Sequence, residues 1–226
     1  MNMLVELAAM AETQPPPPGS GPYNYVHTTG RYLATAQRTD GQILDARLED
    51  TDREFWVAAD GSGRIEETRD GRRSRMSGNY SPGGLWPGPL AALPAGAEPL
   101  PHLRQSRAPQ PVGWIRDIEA IWSVQAVPPA VQGVLLRQLA TQSGLRMQET
   151  TDHAGRRGFA VSADDPPGGS RWRGRHVLVL DPGTAMLLEA EHVTLQRGDR
   201  PVAMPEPDSY TCWMRTGYTP DRETRP

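Results

Sequence analysis

The sequence predicts an α+β fold: one large, curved antiparallel sheet of about ten strands with helices packed on its concave face. Three observations carry this. Runs with period-two alternation cluster in the first third and the last third of the chain. Two runs with helical spacing stand between those clusters. The connections between alternating runs are short and rich in Gly, Pro and Asp, which suits antiparallel neighbours, whereas parallel ones need long crossovers.

The elements follow in order. Residues 1–12 read as a short amphipathic helix, with Leu4, Leu7, Ala8 and Ala11 on one stripe. Pro15 to Pro18 and then Gly19 to Pro22 make a stiff linker, because proline lacks the backbone donor and pushes its predecessor out of the helical region. Residues 1–22 are therefore assigned to a helix and linker, and residues 23–226 to a single α+β domain. From Tyr23 the pattern alternates, and Thr29-Gly30 reads as a turn joining two strands, the second over Arg31–Ala36. Ile43–Leu48, Arg53–Ala59 and Arg64–Arg69 are the next strands, with Asp40-Gly41, Asp60 to Gly63 and Asp70-Gly71 as turns. Arg72, Arg73 and Arg75 read as a solvated hairpin end.

Residues 81–111 hold eight prolines and only three charged residues, a Pro/Gly-rich loop inside the domain. Its Leu85, Trp86, Leu90 and Leu93 are apolar enough to pack on the fold. Helical spacing resumes at Trp114, Ile115, Ile118, Ile121 and Trp122. A further helix starts at Pro128-Pro129, carries Val131, Val134, Leu135 and Leu139, and ends before Gly144. Leu145–Thr151, Gly158–Ala163, Arg173–Leu180, Leu187–Leu195 and Ser209–Arg215 complete the strands.

Composition narrows the chemistry. With 24 basic against 27 acidic residues the formal net charge is −3, which leaves no basic footprint for nucleic acid. Every basic residue is Arg, so lysine-dependent phosphate loops and Schiff-base catalysis are excluded. The single Cys212 rules out an intrachain disulfide and reads as a buried small hydrophobe. No run is long and apolar enough for a membrane helix, and no export signal precedes the first strand. If Met1 is the authentic start, the chain is expected in the cytoplasm.

No catalytic signature emerges. His27, His102, His153, His176 and His192 lack short metal-binding spacing, and are expected to be separate surface or hydrogen-bonded side chains, with no metal and no cofactor. Adjacent carboxylates such as Glu66/Glu67 and Asp164/Asp165 point to opposite faces of a strand and make no acid and base pair. A curled sheet with helices in its concavity leaves a groove, and Trp56, Trp114 and Trp122 are the candidate apolar lining for a ligand.

Tyr23 to Thr29, Arg53 to Arg64, Val127 to Leu136 and Thr151 to Gly158 together resemble an uncharacterised domain family of high-GC Gram-positive bacteria. That resemblance spans nearly the whole chain, from about Leu4 to Tyr218. Its members follow one membrane helix in proteins similar to anti-sigma factors, and their plan is remotely similar to the LolA-like and RseB-like half-barrel. The resemblance implies an extracytoplasmic setting and carries over no catalytic residue. The expected function is a non-enzymatic sensory or ligand-binding domain that accepts an apolar or acyl ligand under the sheet. The alternative is a protein interaction module of a signalling, anti-sigma-like system with no small molecule.

Overall fold

In the computed structural model, residues 3–37, 43–85, 110–166, 172–197 and 208–226 are described. The expected positions of Trp86, Leu90 and Leu93 and the turn at Asp40-Gly41 lie outside them.

The chain runs α1 (Met3–Glu12), β1 (Tyr23–Gln37), β2 (Ile43–Ala58), β3 (Gly63–Arg69), β4 (Arg72–Arg73), β5 (Gly78–Tyr80), α2 (Pro111–Trp122), α3 (Pro129–Ala140), β6 (Arg146–Thr151), β7 (Arg157–Asp164), β8 (Trp172–Leu180), β9 (Leu187–Arg197) and β10 (Ser209–Thr219). These strands form one ten-stranded sheet in the order β4-β3-β2-β1-β10-β9-β8-β7-β6, with β5 beside β3. All strand pairs are antiparallel, so the predicted α+β architecture is the observed one.

The first part of the sheet differs from expectation in its strand count. The four strands read before Asp60 are two long ones: Thr29-Gly30 makes no turn, and Ile43–Leu48 and Arg53–Ala59 are parts of one continuous strand. Gly30 lies flat in the sheet, opposite Thr51 on one side and Thr211 on the other. A Cβ there would stand 2.4 Å from the Tyr210 carbonyl oxygen, so glycine serves close strand approach rather than chain reversal. A true reversal follows β3, where Asp70 (φ 47°) and Gly71 (φ 71°) are both left-handed, as a tight two-residue hairpin requires.

The helices pack on the concave face of the sheet. Pro111 and Pro129 open α2 and α3 at positions where the missing backbone donor costs nothing. Ile115, Ile118, Ile121 and Trp122 from α2 meet Val161 and Ala163 of β7, Leu178 and Leu180 of β8 and Trp213 of β10 in one core. Leu135 and Leu139 of α3 join it, as do Leu4, Leu7, Ala8 and Ala11 of α1, so the N-terminal helix shares the main core. Arg137 of α3 grips both carboxylate oxygens of Glu12 across that helix pair. A smaller cluster of Phe55, Val57, Ile65 and Leu85 closes the other end of the same face, with Leu85 packed as the sequence predicts.

Candidate functional site

The three tryptophans expected to line one groove are not brought together. Trp114 and Trp122 both project from α2 toward the core, and Trp122 is fully buried there. Its ring meets Trp213 edge-on at 6.5 Å, and Trp213 Nε1 donates to the Trp122 carbonyl at 2.8 Å. That bond satisfies one of the carbonyls a helix end leaves orphaned.

Trp56 faces the opposite, convex side. It stands across from Tyr25 in the β1–β2 register, while its neighbours Val26 and Phe55 point to the core side. There it holds the C-terminal segment. Trp56 Nε1 donates to the Thr224 carbonyl at 2.8 Å, and Arg225 lies over the indole ring. Arg225 also forks onto Glu54 at 2.5 and 2.6 Å, and Tyr25 donates to the same carboxylate. The strand period alone decides this placement, and the tryptophan count in the sequence could not.

The Arg225 hydrogen bond, helped by Tyr25 and opposed by burial, holds the Glu54 carboxyl below its ordinary value. A lowered folded value means stability that is present above the unfolded value, ~4.3, and is lost as pH falls through the folded one. Wild type is therefore expected to exceed Glu54→Gln in urea-unfolding stability at neutral pH, with the gap closing below about pH 4. A gap that stays constant across that range would mean the pair contributes no charge-dependent stability.

Beneath α2 and α3 the buried side chains of helices and sheet pack into one core, with Trp122 seated in it. The open part of the same face lies further along β1, β2 and β3. Thr28, Tyr32 and Ala34 of β1, Glu49, Thr51 and Arg53 of β2, and Glu67 and Arg69 of β3 line a trough of about 330 Å³. It continues into a second hollow of about 540 Å³ bordered by Arg47, Arg72, Arg73, Arg75 and Met76, with Glu49 and Arg69 shared.

The electrostatics of this trough are uneven. Glu49 pairs with Arg47 at 2.8 Å, and Glu67 accepts from Arg69 at 2.8 Å. Arg72, Arg73 and Arg75 have no carboxylate partner among the described residues and are exposed. Arg53 is 4.0 Å from Glu67, and its buried Nε donor is unsatisfied. Tyr32 forms part of the floor, with its hydroxyl 2.6 Å from Thr211 Oγ1, and burial raises its phenol above the usual value. The trough offers guanidinium donors and hydroxyls over a polar strand floor that also carries Glu49 and Glu67, with Asp70 beside the second hollow. That arrangement binds carboxylates or other oxyanions better than acyl chains.

A second polar cluster lies on the convex side. Buried Glu189 accepts from the His153 backbone at 2.8 Å, from His153 Nδ1 at 3.0 Å and from Cys212 Sγ at 3.1 Å. His153 stacks on Tyr210 at 3.8 Å. Burial, reinforced by Glu189, pushes the Cys212 thiol up to about 12. It stays protonated, and the group is a hydrogen-bond donor rather than a nucleophile. Asp152, Glu189 and Cys212 place donor atoms within 4.8 Å of one another, but the Arg156 guanidinium already occupies the Asp152 carboxylate at 2.7 Å.

No helix among the described residues is long and apolar enough to cross a membrane. Fold and site together define an open-sheet α+β domain with a polar, arginine-bordered trough. No protein-family model and no curated protein matches the chain, so the expected membership of the high-GC Gram-positive family gains no support there. Among solved structures the chain is similar to MucB in complex with MucA(peri), at 13% identity and TM-score 0.30, covering 100% of this chain and 56% of that one. It is also similar to MucB alone, at 14% identity and TM-score 0.29, covering 99% and 59%. The MucA/MucB complex of Pseudomonas aeruginosa follows at 13% identity and TM-score 0.27, covering 96% and 56%. The chain thus spans little more than half the length of the chains it matches. Overlap this slight supports no conclusion, and the architecture rests on the strand pairing described above.

Proposed function

We propose that this is a non-enzymatic binding domain that docks an acidic, extended segment of a signalling partner in the arginine-bordered trough over β1, β2 and β3. The observation that supports it is the surplus of unpartnered guanidinium groups around a stretch of sheet that the helices leave uncovered among the described residues. An extended peptide laid on such a floor satisfies its carboxylates with Arg72, Arg73 and Arg75, and this arrangement favours specificity and fast association over burial. The apolar-ligand reading is the weaker one, because Trp122 and its neighbours already occupy the space under the helices. The setting attached to this proposal, outside the cytoplasm in an anti-sigma-like system, rests on the sequence resemblance alone.

Fluorescence anisotropy with labelled Asp/Glu-rich, neutral and Lys/Arg-rich peptides tests the docking surface. The acidic peptide is expected to bind selectively, more weakly as salt rises, and Arg72→Glu with Arg73→Glu should weaken it roughly tenfold or more. Equal binding of all three peptides, or an unchanged double variant, would sink the proposal. Native mass spectrometry of freshly purified protein addresses the rival directly. A reproducible adduct that extracts into organic solvent would return the apolar ligand to first place.

A further inference from the structure

The sequence predicts separate side chains at His176 and His192, yet they stand directly opposite each other in the β8–β9 register. Both point to the face that carries Leu178 and Ala190, and their rings lie 4.7 Å apart. Asp165, just past the end of β7, brings Oδ1 to 3.6 Å from His176 Nε2. Donor atoms of all three residues fall within 4.8 Å of one another. We propose that His176, His192 and Asp165 form a binding site for a divalent transition metal of the zinc class.

Four features support this. His176 is 5% exposed, and its Nε2 has no hydrogen-bond partner, an arrangement that is costly for a buried polar atom unless something else fills the role. His192 Nδ1 lies 3.1 Å from Asp208 Oδ2, and Asp208 also accepts from Thr194 Oγ1. A carboxylate on one imidazole nitrogen fixes the tautomer and orients the other nitrogen toward a metal. Gly174 supplies the room: a Cβ there would sit 2.1 Å from His192 Nε2, and its backbone N–H holds Asp165 Oδ2 at 2.8 Å. Finally, a tetrahedral zinc with bonds near 2.0–2.1 Å separates its ligand atoms by ~3.3 Å, close to the His176–Asp165 spacing.

Burial, followed by His192 and Arg116 of α2, lowers the His176 pKa below its ordinary value. Two imidazole nitrogens and one carboxylate suit zinc and its neighbours rather than calcium or magnesium, which prefer all-oxygen sets. Three protein donors leave a fourth position for water or a donor from outside, and the His192 and Asp165 side chains are 35% and 28% exposed on that side. Bound metal would pin the end of β7 to β8 and β9.

The test uses tag-free protein, dialysed against chelator and titrated with Co(II) under visible absorption, then with Zn(II) in competition. One Co(II) per chain is expected, with the intense bands of a four- or five-coordinate site, displaced by Zn(II). His176→Gln and His192→Gln should each abolish the bands, and the more exposed Asp165→Asn should weaken binding in a chain whose folding is checked by circular dichroism. Asp208→Asn, a positioning change, should weaken it ~10–100-fold. His27→Gln should leave it unchanged. No saturable Co(II) binding by the wild type, or bands of wild-type strength in the folded His176→Gln and His192→Gln variants, would overturn the proposal.

Discussion

Trp122→Ala is expected to lower the unfolding free energy by about 3–5 kcal/mol, read by urea denaturation of the full chain. The side chain is 1% exposed and sits where α2, β10 and the aliphatic layer of β7 and β8 converge. Its removal opens a cavity that rigid strands on one side and a helix on the other cannot close by collapse. Trp213→Phe probes the same joint differently. It keeps most of the ring volume but removes the donor that caps the Trp122 carbonyl, at an expected ~1–3 kcal/mol. A loss below about 1 kcal/mol for Trp122→Ala would mean that α2 is not seated as described.

Arg156→Met should be nearly as damaging, at about 3 kcal/mol or more by the same measurement. Arg156 donates to Asp152 at 2.7 Å, to the Trp213 carbonyl at 2.7 Å and to the Leu188 carbonyl at 2.8 Å. The Asp152 side chain is fully buried, while Arg156 is about one-third exposed, which places the expected cost at the lower end of the range for broken buried pairs. Met restores the aliphatic stem but removes the guanidinium: Asp152 keeps only the residue-156 backbone N–H, on Oδ1, and the Trp213 and Leu188 carbonyls lose the bonds Arg156 gave them. Arg156→Lys should recover only part of the loss, because one ammonium cannot reproduce a planar fork that reaches the Asp152 turn, β9 and β10 together. Full recovery by Lys would show that charge alone matters at this position.

These two sites mark what the sequence disclosed and what it withheld. Trp122 was legible: its place in the Ile115, Ile118, Ile121 stripe predicts a buried helix position. The five strands after Gly144 were also legible to within a few residues, since each alternates and residues such as Gly, Pro and Asp separate one from the next. Gly30 misled because glycine serves turns and close strand approach equally, and only the partner strands distinguish them. Trp56 was assigned to the wrong face because one face of a strand cannot be named inner without knowing what covers it. The trough and the His176–His192 pair were out of reach for a related reason. Both depend on register between strands distant in the chain, and local periodicity does not encode register.

The centre of the sheet is the seam between β1 and β10, where Tyr23 lies opposite Thr219 and Arg31 opposite Tyr210. During synthesis β1 emerges early and β10 last among the strands, so the seam closes only after the intervening strands have left the ribosome. Until then β1 offers a long unpaired edge, and loop-closure entropy must be met before the two halves can meet. Folding of this domain should consequently be slow and governed by one late, non-local event, with β1 the segment most exposed to mispairing in the interval.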